Sequence, residues 1–295
     1  MNLVQSVIIS IVEGLTEFLP VSSTAHMKIT NPLIGVQIDS FEEMFEIVIQ
    51  LAAILSVVTV YWKKFLDFKS ANFYIKLIIA LIPAIIFGAL LKKHIDANLK
   101  DLRIIASVMI GGGIILLFVD KWFTKNEITE ETQISYPKAL TIGCFQVLSI
   151  IFPGFSRSAA TIVGGMSQKL TRGLAAEFSF FLAVPTMFAA SLKSFMDTCK
   201  ENYLTTHNIV QVEGVEAIKP TIKQIFSAEN LHSLFNPQNL IIIILGCIVS
   251  YIIALLSIKF FIGYLQKHGF KVFGWYRIAM GIIVWVLIYT NIIAN

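Results

Sequence analysis

Two groups of polar residues interrupt apolar stretches of the chain, and their side chains are of types that handle phosphate. The first runs from Glu13 to His26 as Glu-Gly-Leu-Thr-Glu-Phe-Leu-Pro-Val-Ser-Ser-Thr-Ala-His. The second runs from Pro153 to Thr161 as Pro-Gly-Phe-Ser-Arg-Ser-Ala-Ala-Thr. A charged side chain costs about 2.5–3.5 kcal/mol at the centre of a membrane helix on insertion scales, so such residues at bilayer depth are predicted to be functional.

The acidic pair of the first group is a candidate metal site. Glu13 and Glu17 are four residues apart and therefore share one helix face. Two close carboxylates coexist when a metal ion bridges them, when one holds a proton, or when a cationic side chain lies nearby. Oxygen ligands of this kind suit a hard divalent cation such as Mg²⁺ or Ca²⁺.

The hydroxyl groups that follow are candidates for phosphate binding and for nucleophilic attack. Pro20 ends one helical segment, and Ser22 or Ser23 can cap the next. A capped helix start presents free N–H groups and the positive end of the helix dipole, which attract anions. His26 lies one turn beyond Ser23, and a hydroxyl with an imidazole in reach is typical of an activated nucleophile.

The second group has the same kind of break and supplies a permanent positive charge. Gly154 permits a tight turn and close approach of the main chain. Ser156, Ser158 and Thr161 supply hydroxyl groups, and Arg157 supplies a planar guanidinium that suits phosphate oxygens. If the two breaks meet, Arg157 would face the glutamates and help to keep them ionised.

The composition indicates an integral membrane protein. Of 295 residues, 56% are hydrophobic and 14% are charged, whereas soluble domains average about 25% charged residues. The mean hydropathy is +0.76. The net charge of +4 gives no reason to expect a nucleic-acid partner, and three scattered cysteines argue against a disulfide framework or a CxxC site.

The apolar stretches predict an all-α polytopic protein. Six are long enough to cross a bilayer: about 44–62, 73–92, 104–120, 174–196, 239–259 and 275–293. Residues 2–19 and 138–152 are shorter, and each is followed by a break and a second short segment. Because irregular main chain at membrane depth must be covered by protein or line a cavity, these two regions are predicted to be re-entrant helix hairpins.

The order of elements predicts an internal repeat within a single membrane domain, 1–295. Repeat one covers about 1–120 and repeat two about 138–293, and each has a broken pair followed by full spans. Superposing Pro20 on Pro153 aligns Ser23 with Ser156.

The basic residues predict the topology. Lysines and arginines collect in loops on one side, which should be cytoplasmic; they are Lys63, Lys64, Lys69, Lys76, Lys121, Lys125, Lys138, Lys169, Arg172, Lys259, Lys267 and Lys271. Both termini and an inserted loop, 197–238, are then extracytoplasmic. The hairpins would enter from opposite sides with their tips meeting in the bilayer, as an inverted-topology repeat requires. Arg277, next to Trp275 and Tyr276, is expected to anchor at the membrane interface.

The two motifs together resemble the signatures of the bacterial undecaprenyl-diphosphate phosphatases, also called bacitracin-resistance proteins. Segments beginning at Phe45, Glu177 and Tyr276 resemble the same family, so the likeness runs over nearly the whole chain. The resemblance implies hydrolysis of undecaprenyl diphosphate to the monophosphate and inorganic phosphate in the bacterial plasma membrane, which recycles the lipid carrier of cell-wall synthesis. It also implies an inverted-repeat fold, a divalent cation and a homodimer.

The resemblance carries roles over to matching positions. Glu13 and Glu17 match the paired acidic residues, while Ser23 and His26 match the proposed nucleophile and its acid/base partner. Arg157 matches the phosphate-binding arginine. The expected substrate-binding residues are Ser22 of the first break and four neighbours of Arg157 in the second: Gly154, Ser156, Ser158 and Thr161.

Two questions stay open at the level of sequence. The attacking group could be Ser23, His26 or a metal-activated water, since all three would use the same residues. Broken helices with anion sites at half-helix starts also occur in transporters, so a lipid-phosphate flippase or anion transporter is the alternative function.

Overall fold

The protein is described by a computed structural model that covers residues 1–37, 39–67, 71–91, 101–207 and 220–293. Ten principal helices occupy most of these ranges. They are α1 (Leu3–Thr16), α2 (Ser23–Leu33), α3 (Ser40–Val60), α4 (Ala71–Leu90), α5 (Leu102–Trp122), α6 (Tyr136–Ile151), α7 (Arg157–Ser167), α8 (Arg172–Thr206), α9 (Pro237–His268) and α10 (Lys271–Tyr289).

Six of the ten helices are long and apolar enough to cross a membrane, as predicted. They are α3, α4, α5, α8, α9 and α10. Their apolar residues divide between the interior of the protein and an outer surface rich in isoleucine, leucine and phenylalanine. An all-α protein with this outer surface is a multi-pass membrane protein, because only hydrocarbon stabilises so much exposed apolar side chain.

The other four principal helices form the two predicted broken pairs. Helices α1 and α2 have 14 and 11 residues, and α6 and α7 have 16 and 11. At 1.5 Å per residue each reaches about 24 Å at most, which is shorter than the roughly 30 Å hydrocarbon core. Neither helix of a pair is therefore long enough to cross, and the residues of the two breaks, 17–22 and 152–156, are mostly buried inside the protein.

The helices pack in an order that relates the two halves of the chain. Helix α1 packs along α9, and α6 packs along α4. Helix α5 packs along α10, and α3 along α8. Every one of these pairs joins an element of residues 1–120 to an element of residues 138–293, so the halves interlock rather than standing side by side. This arrangement is what places the two breaks next to each other.

Three of the basic residues that predicted the topology make contacts at one end of the bundle, whereas Lys69 lies outside the described residues. Lys76 donates from Nζ to the main-chain oxygen of Glu131 at 2.7 Å, and Lys64 forms an ion pair with the same glutamate. Arg172 donates from Nε to Asp120 at 2.7 Å. The turns that connect α3 to α4, α5 to α6, and α7 to α8 therefore lie in one layer.

The predicted loop 197–238 is largely helical where it is described. Helix α8 continues through Thr206, and the short helices Ile222–Ile225 and Ala228–Leu234 follow. Buried Asn230 fixes them, because its Nδ2 donates to the main-chain oxygens of Cys199 at 2.9 Å and Ile225 at 2.6 Å. The apolar side chains of these helices pack on the ends of α1, α3 and α9.

Candidate active site

The first break turns at Ser22, which adopts a conformation that L-residues rarely take. Its φ is 74°, in the left-handed region that costs a non-glycine residue about 1–2 kcal/mol. In this position its Oγ accepts a hydrogen bond from Ala25 N at 3.4 Å and caps α2. Of the two serines that could cap this helix, Ser22 does so, and Ser23 is left as the first helical residue.

The second break turns in the same way at Ser156. Its φ is 75°, and its Oγ accepts from Ala159 N at 3.3 Å to cap α7. Ser156 therefore corresponds to Ser22, one residue away from the alignment with Ser23 that the sequence predicted. Gly154 has φ +91°, and a Cβ there would lie 2.8 Å from the main-chain oxygen of Ile105, so the turn requires glycine.

Arg277 on α10 joins the two breaks. Its side chain is fully buried, which corrects the expectation of an interface anchor. Nη1 donates to the main-chain oxygens of Pro20 at 3.1 Å and Phe155 at 2.9 Å, and Nη2 donates to Gly154 O at 2.8 Å. A Cβ at Gly112 would lie 2.5 Å from Nη2, so the glycines of α5 make room for the guanidinium.

The reactive side chains of the two halves meet at Glu17. Its Oε1 accepts from Arg157 Nη2 at 2.9 Å, and its Oε2 accepts from Ser23 Oγ at 2.5 Å. Arg157 also donates from Nη1 to Ser179 O at 3.2 Å. The Nε of Arg157 is buried and has no hydrogen-bond partner among the described residues.

Glu13 lies behind this group and is fully buried. Neither of its carboxylate oxygens has a hydrogen-bond partner in the described part of the chain. A buried carboxylate without a donor is costly unless a cation or a proton accompanies it. The donor chemistry of Glu13 with Glu17 therefore fits a divalent cation, although the described residues include no group of three or more His, Cys, Asp or Glu side chains arranged to hold a metal ion.

His26 is placed differently from the sequence expectation. Its Nδ1 contacts Ser22 O at 2.7 Å, and its Nε2 contacts the hydroxyl of Tyr276 at 2.8 Å. The rings of His26 and Tyr276 also stack, with centroids 5.6 Å apart. Both ring nitrogens are thus engaged away from Ser23, whose hydroxyl donates to Glu17 instead, so the predicted serine–histidine contact is absent from this conformation.

Ser158 and Thr161 connect helices rather than lining the cavity. Ser158 Oγ donates to Leu19 O at 2.8 Å, which ties the second break to the first. Thr161 Oγ1 lies 2.6 Å from Ser179 Oγ and so ties α7 to α8.

A cavity of about 700 Å³ opens over the Glu17–Arg157–Ser23 group. Its other uncharged polar side chains come from both breaks and from neighbouring helices: Ser22, Thr24, Gln50, Gln146, Ser149, Ser156, Thr186 and Ser194. Gly154 also lines it, whereas Glu13, His26, Ser158 and Thr161 are not among its lining residues. Lys193 and Asp197 also line the cavity. Both lie in the C-terminal half of α8, away from Arg172 at its start.

Sequence reasoning missed Tyr276 as part of the site and misplaced Arg277. A signal existed, because an arginine within an apolar span is rarely without a buried partner. The partners, however, are main-chain oxygens more than a hundred positions away, and no local spacing points to them.

Comparison with known proteins agrees with this arrangement. The family model described as "Bacitracin resistance protein BacA" matches residues 6–283. An undecaprenyl-diphosphatase of Flavobacterium psychrophilum is 48% identical over 284 residues, covering 96% of this chain and 95% of that protein. The undecaprenyl-diphosphatase of Porphyromonas gingivalis strain ATCC 33277 is 42% identical over 308 residues, covering 99% of each. One from Enterococcus faecalis is 36% identical over 298 residues, covering 96% of each. The chain belongs to the bacitracin resistance protein BacA family.

Proposed function

We propose that this protein hydrolyses undecaprenyl diphosphate to undecaprenyl phosphate and inorganic phosphate, returning the lipid carrier to cell-wall synthesis and conferring resistance to bacitracin. The observation that carries the proposal is Glu17, whose two oxygens bond Arg157 and Ser23 at one cavity. A nucleophile, an acceptor for its proton and a guanidinium for phosphate are thereby assembled beside an apolar wall. The names of the relatives support the substrate.

Arg157 and the two helix starts would hold the diphosphate. Arg157 lines the cavity, where its guanidinium can donate to a phosphate oxygen. Helices α2 and α7 begin at this cavity, and neither has an acidic residue in its first turn. Apart from Ala25 N and Ala159 N, which donate to the capping serines, the first-turn N–H groups and the helix dipoles therefore remain available to an anion.

In the chemical step Ser23 Oγ attacks the terminal phosphorus. Glu17 Oε2 takes the hydroxyl proton as the bond from that phosphorus to the bridging oxygen breaks, and the lipid monophosphate leaves. Water then attacks the phosphoserine and releases inorganic phosphate. Positioning and charge stabilisation are expected to dominate, as in other phosphoryl transfers.

His26 has a supporting role in this scheme. Its contact with Ser22 O holds the strained turn that precedes the nucleophile, and Tyr276 fixes the ring. A route in which water attacks would use the same cavity, whereas attack by His26 would require its ring to move, since His26 does not line the cavity. Ser23→Ala separates both routes from the serine route, because only the serine route needs the hydroxyl.

Glu13 and Glu17 would hold the divalent cation that the family resemblance implies. When bound, such an ion supplies positive charge that offsets the charge of the phosphates. The support for this assignment is the buried, partnerless carboxylate of Glu13.

We also infer the orientation in the membrane. The layer that contains Lys64, Lys76 and Arg172 is assigned to the cytoplasm. Lys193 and Asp197 lie at the opposite end of α8, so the cavity opens on the extracytoplasmic side. Both termini are assigned to that side as well.

Phosphate release from purified protein tests the function. Wild type should release inorganic phosphate from undecaprenyl diphosphate, lose activity with a chelator and recover it with Mg²⁺ or Ca²⁺. Ser23→Ala and Arg157→Lys should each lower kcat at least a hundredfold.

The matched controls are Ser107→Ala, an exposed serine of α5, and Arg172→Lys in the basic layer, and both should retain activity. Wild-type protein that releases no phosphate but moves labelled lipid phosphate across vesicles would establish the transporter alternative instead.

A further inference from the structure

A second pair of carboxylates, separate from Glu13 and Glu17, is placed beside the end of α2. Glu42, in the first turn of α3, is 1% exposed, and Glu46, one turn further on, is half-buried. Asn31 of α2 is fully buried and donates from Nδ2 to one oxygen of each carboxylate, at 2.9 Å to Glu46. The two carboxylates therefore share one small space with this amide, and we refer to the three residues as the Asn31 cluster.

Two oxygen atoms of the Asn31 cluster have no hydrogen-bond partner among the described residues. They are Glu42 Oε2 and Asn31 Oδ1, and both are shielded from solvent. A buried oxygen of this kind is costly unless a donor or a cation accompanies it. The hydrogen bonds within the cluster use Asn31 Nδ2 and leave these two oxygens unsatisfied. Partnerless oxygens from two helices that meet at one cluster indicate a positively charged ligand.

The charge of the cluster indicates a monovalent cation. Glu46 and the exposed Glu43 both repel the carboxylate of Glu42, whereas Lys28 of α2 attracts it. The two carboxylates of the cluster and the ammonium of Lys28 together leave one net negative charge. The cluster also lies at the C-terminal end of α2, where the helix dipole favours a cation.

We propose that the Asn31 cluster binds one Na⁺ ion through Glu42 Oε2, Asn31 Oδ1 and the carboxylate of Glu46. A half-turn of the Asn31 amide exchanges Nδ2 for Oδ1 between the two carboxylates. The ion then satisfies both partnerless oxygens and neutralises the remaining charge. Oxygen ligands at the C-terminal end of a half-helix are a known environment for Na⁺ in membrane proteins. The site is distinct from the Glu13–Glu17 pair, and it does not depend on the proposed hydrolysis.

Thermal unfolding of the full chain in detergent tests the site without turnover. Wild type is heated in NaCl and in choline chloride of equal concentration, with Mg²⁺ in excess in both. Na⁺ should raise the unfolding midpoint by at least about 2 °C and in a saturable way, because a ligand of the folded state stabilises it. Glu42→Gln should abolish this rise. Glu43→Gln, which removes the same charge from the adjacent exposed position, should keep it.

A further variant separates the cluster from the pair at the cavity. Glu13→Gln should keep the response to Na⁺, and Glu46 is left unchanged because its charge also acts on Glu13. Equal wild-type midpoints in the two salts would overturn the proposal, and they are the result expected if the carboxylates hold a proton in place of an ion. A Na⁺ response that persists in Glu42→Gln, or that disappears in Glu43→Gln, would overturn it as well.

Direct binding protects the test against a folding defect. Equilibrium dialysis with radioactive Na⁺, again with Mg²⁺ in excess, should show one bound ion per wild-type chain, and no bound ion would overturn the proposal. If Glu42→Gln does not fold, Asn31→Ala decides, because it removes Oδ1 and keeps both carboxylates. It should weaken Na⁺ binding at least tenfold, and wild-type affinity in this variant would exclude the amide as a ligand and overturn the site as proposed.

Discussion

Replacement of Arg277 by methionine should disable the site without touching any group that contacts the substrate. Arg277 donates to the main-chain oxygens of Pro20, Gly154 and Phe155 at 2.8–3.1 Å. Methionine has a similar length and is apolar, so it fills the space and removes every donor. The change removes the bonds to the two breaks together with two longer ones to α5, at 3.4 Å to Met109 O and 3.5 Å to Val108 O.

The expected magnitude follows from the carbonyl groups left behind. A buried acceptor without a donor costs about 1–3 kcal/mol, so three such groups cost up to about 9 kcal/mol if nothing relaxes. The breaks can shift and admit water, so the lower part of this range, about 3–5 kcal/mol, is the expected loss. If the strained turns relax when this support is lost, the active geometry is lost with them. A loss of about 3 kcal/mol in transition-state stabilisation lowers the rate more than a hundredfold.

The assay measures kcat/KM for a prenyl diphosphate together with the midpoint of thermal unfolding. Arg277→Met should lose activity at least a hundredfold and unfold at a clearly lower temperature, and Arg277→Lys should fall between it and wild type because an ammonium can donate to some of the three oxygens. The control is Arg172→Met, which breaks an ion pair with Asp120 away from the cavity and should leave kcat/KM of the folded protein near that of wild type. Activity of Arg277→Met within threefold of wild type would refute the reasoning.

Three further predictions concern neighbouring residues. Tyr276→Phe removes the hydroxyl that contacts His26 but keeps the ring stack, so kcat/KM should fall roughly two- to tenfold, as expected for about 0.5–1.5 kcal/mol. Glu13→Gln should abolish the rise in unfolding temperature that Mg²⁺ gives to wild type, a readout that needs no turnover. Asn31→Leu should lower the unfolding free energy by about 1–3 kcal/mol, measured by thermal unfolding, because Asn31 Nδ2 donates to the buried carboxylate of Glu42.

The membrane spans and the breaks were predictable because the bilayer restricts main-chain geometry so strongly. A span needs a long apolar stretch, and a short stretch that ends in Pro20 or in Pro153-Gly154 cannot be one. The approach of Arg157 to Glu17 was also predictable from charge, given that the two breaks meet. It is present as the 2.9 Å contact with Glu17.

Contacts between distant segments were not predictable in the same way. One turn of helix separates Ser23 from His26, and that spacing favoured a direct pair. The ring nitrogens instead contact Ser22 O and Tyr276, 250 positions away. Sequence spacing tells which residues share a helix face but says nothing about which distant helix packs against that face. Here the distant helix, α10, supplies the partner of His26.

The alignment of the two halves was off by one residue for a local reason. The prolines gave the natural reference points, but the turn is defined by its capping serine. Ser22 follows Pro20 by two positions, and Ser156 follows Pro153 by three, since Gly154 adds a residue with φ +91°. With the caps superposed, Ser23 corresponds to Arg157.

This correspondence explains how two similar breaks can make one asymmetric site. Both turns place a serine at positive φ, and each such residue carries about 1–2 kcal/mol of strain. Arg277 offsets strain in both at once, because one guanidinium holds main-chain oxygens from each. The first helical residue after each cap then projects towards Glu17, as a hydroxyl in one half and a guanidinium in the other. The shared main chain supplies two anion-binding helix starts, and the divergence of a single position supplies a nucleophile on one side and a phosphate-binding charge on the other.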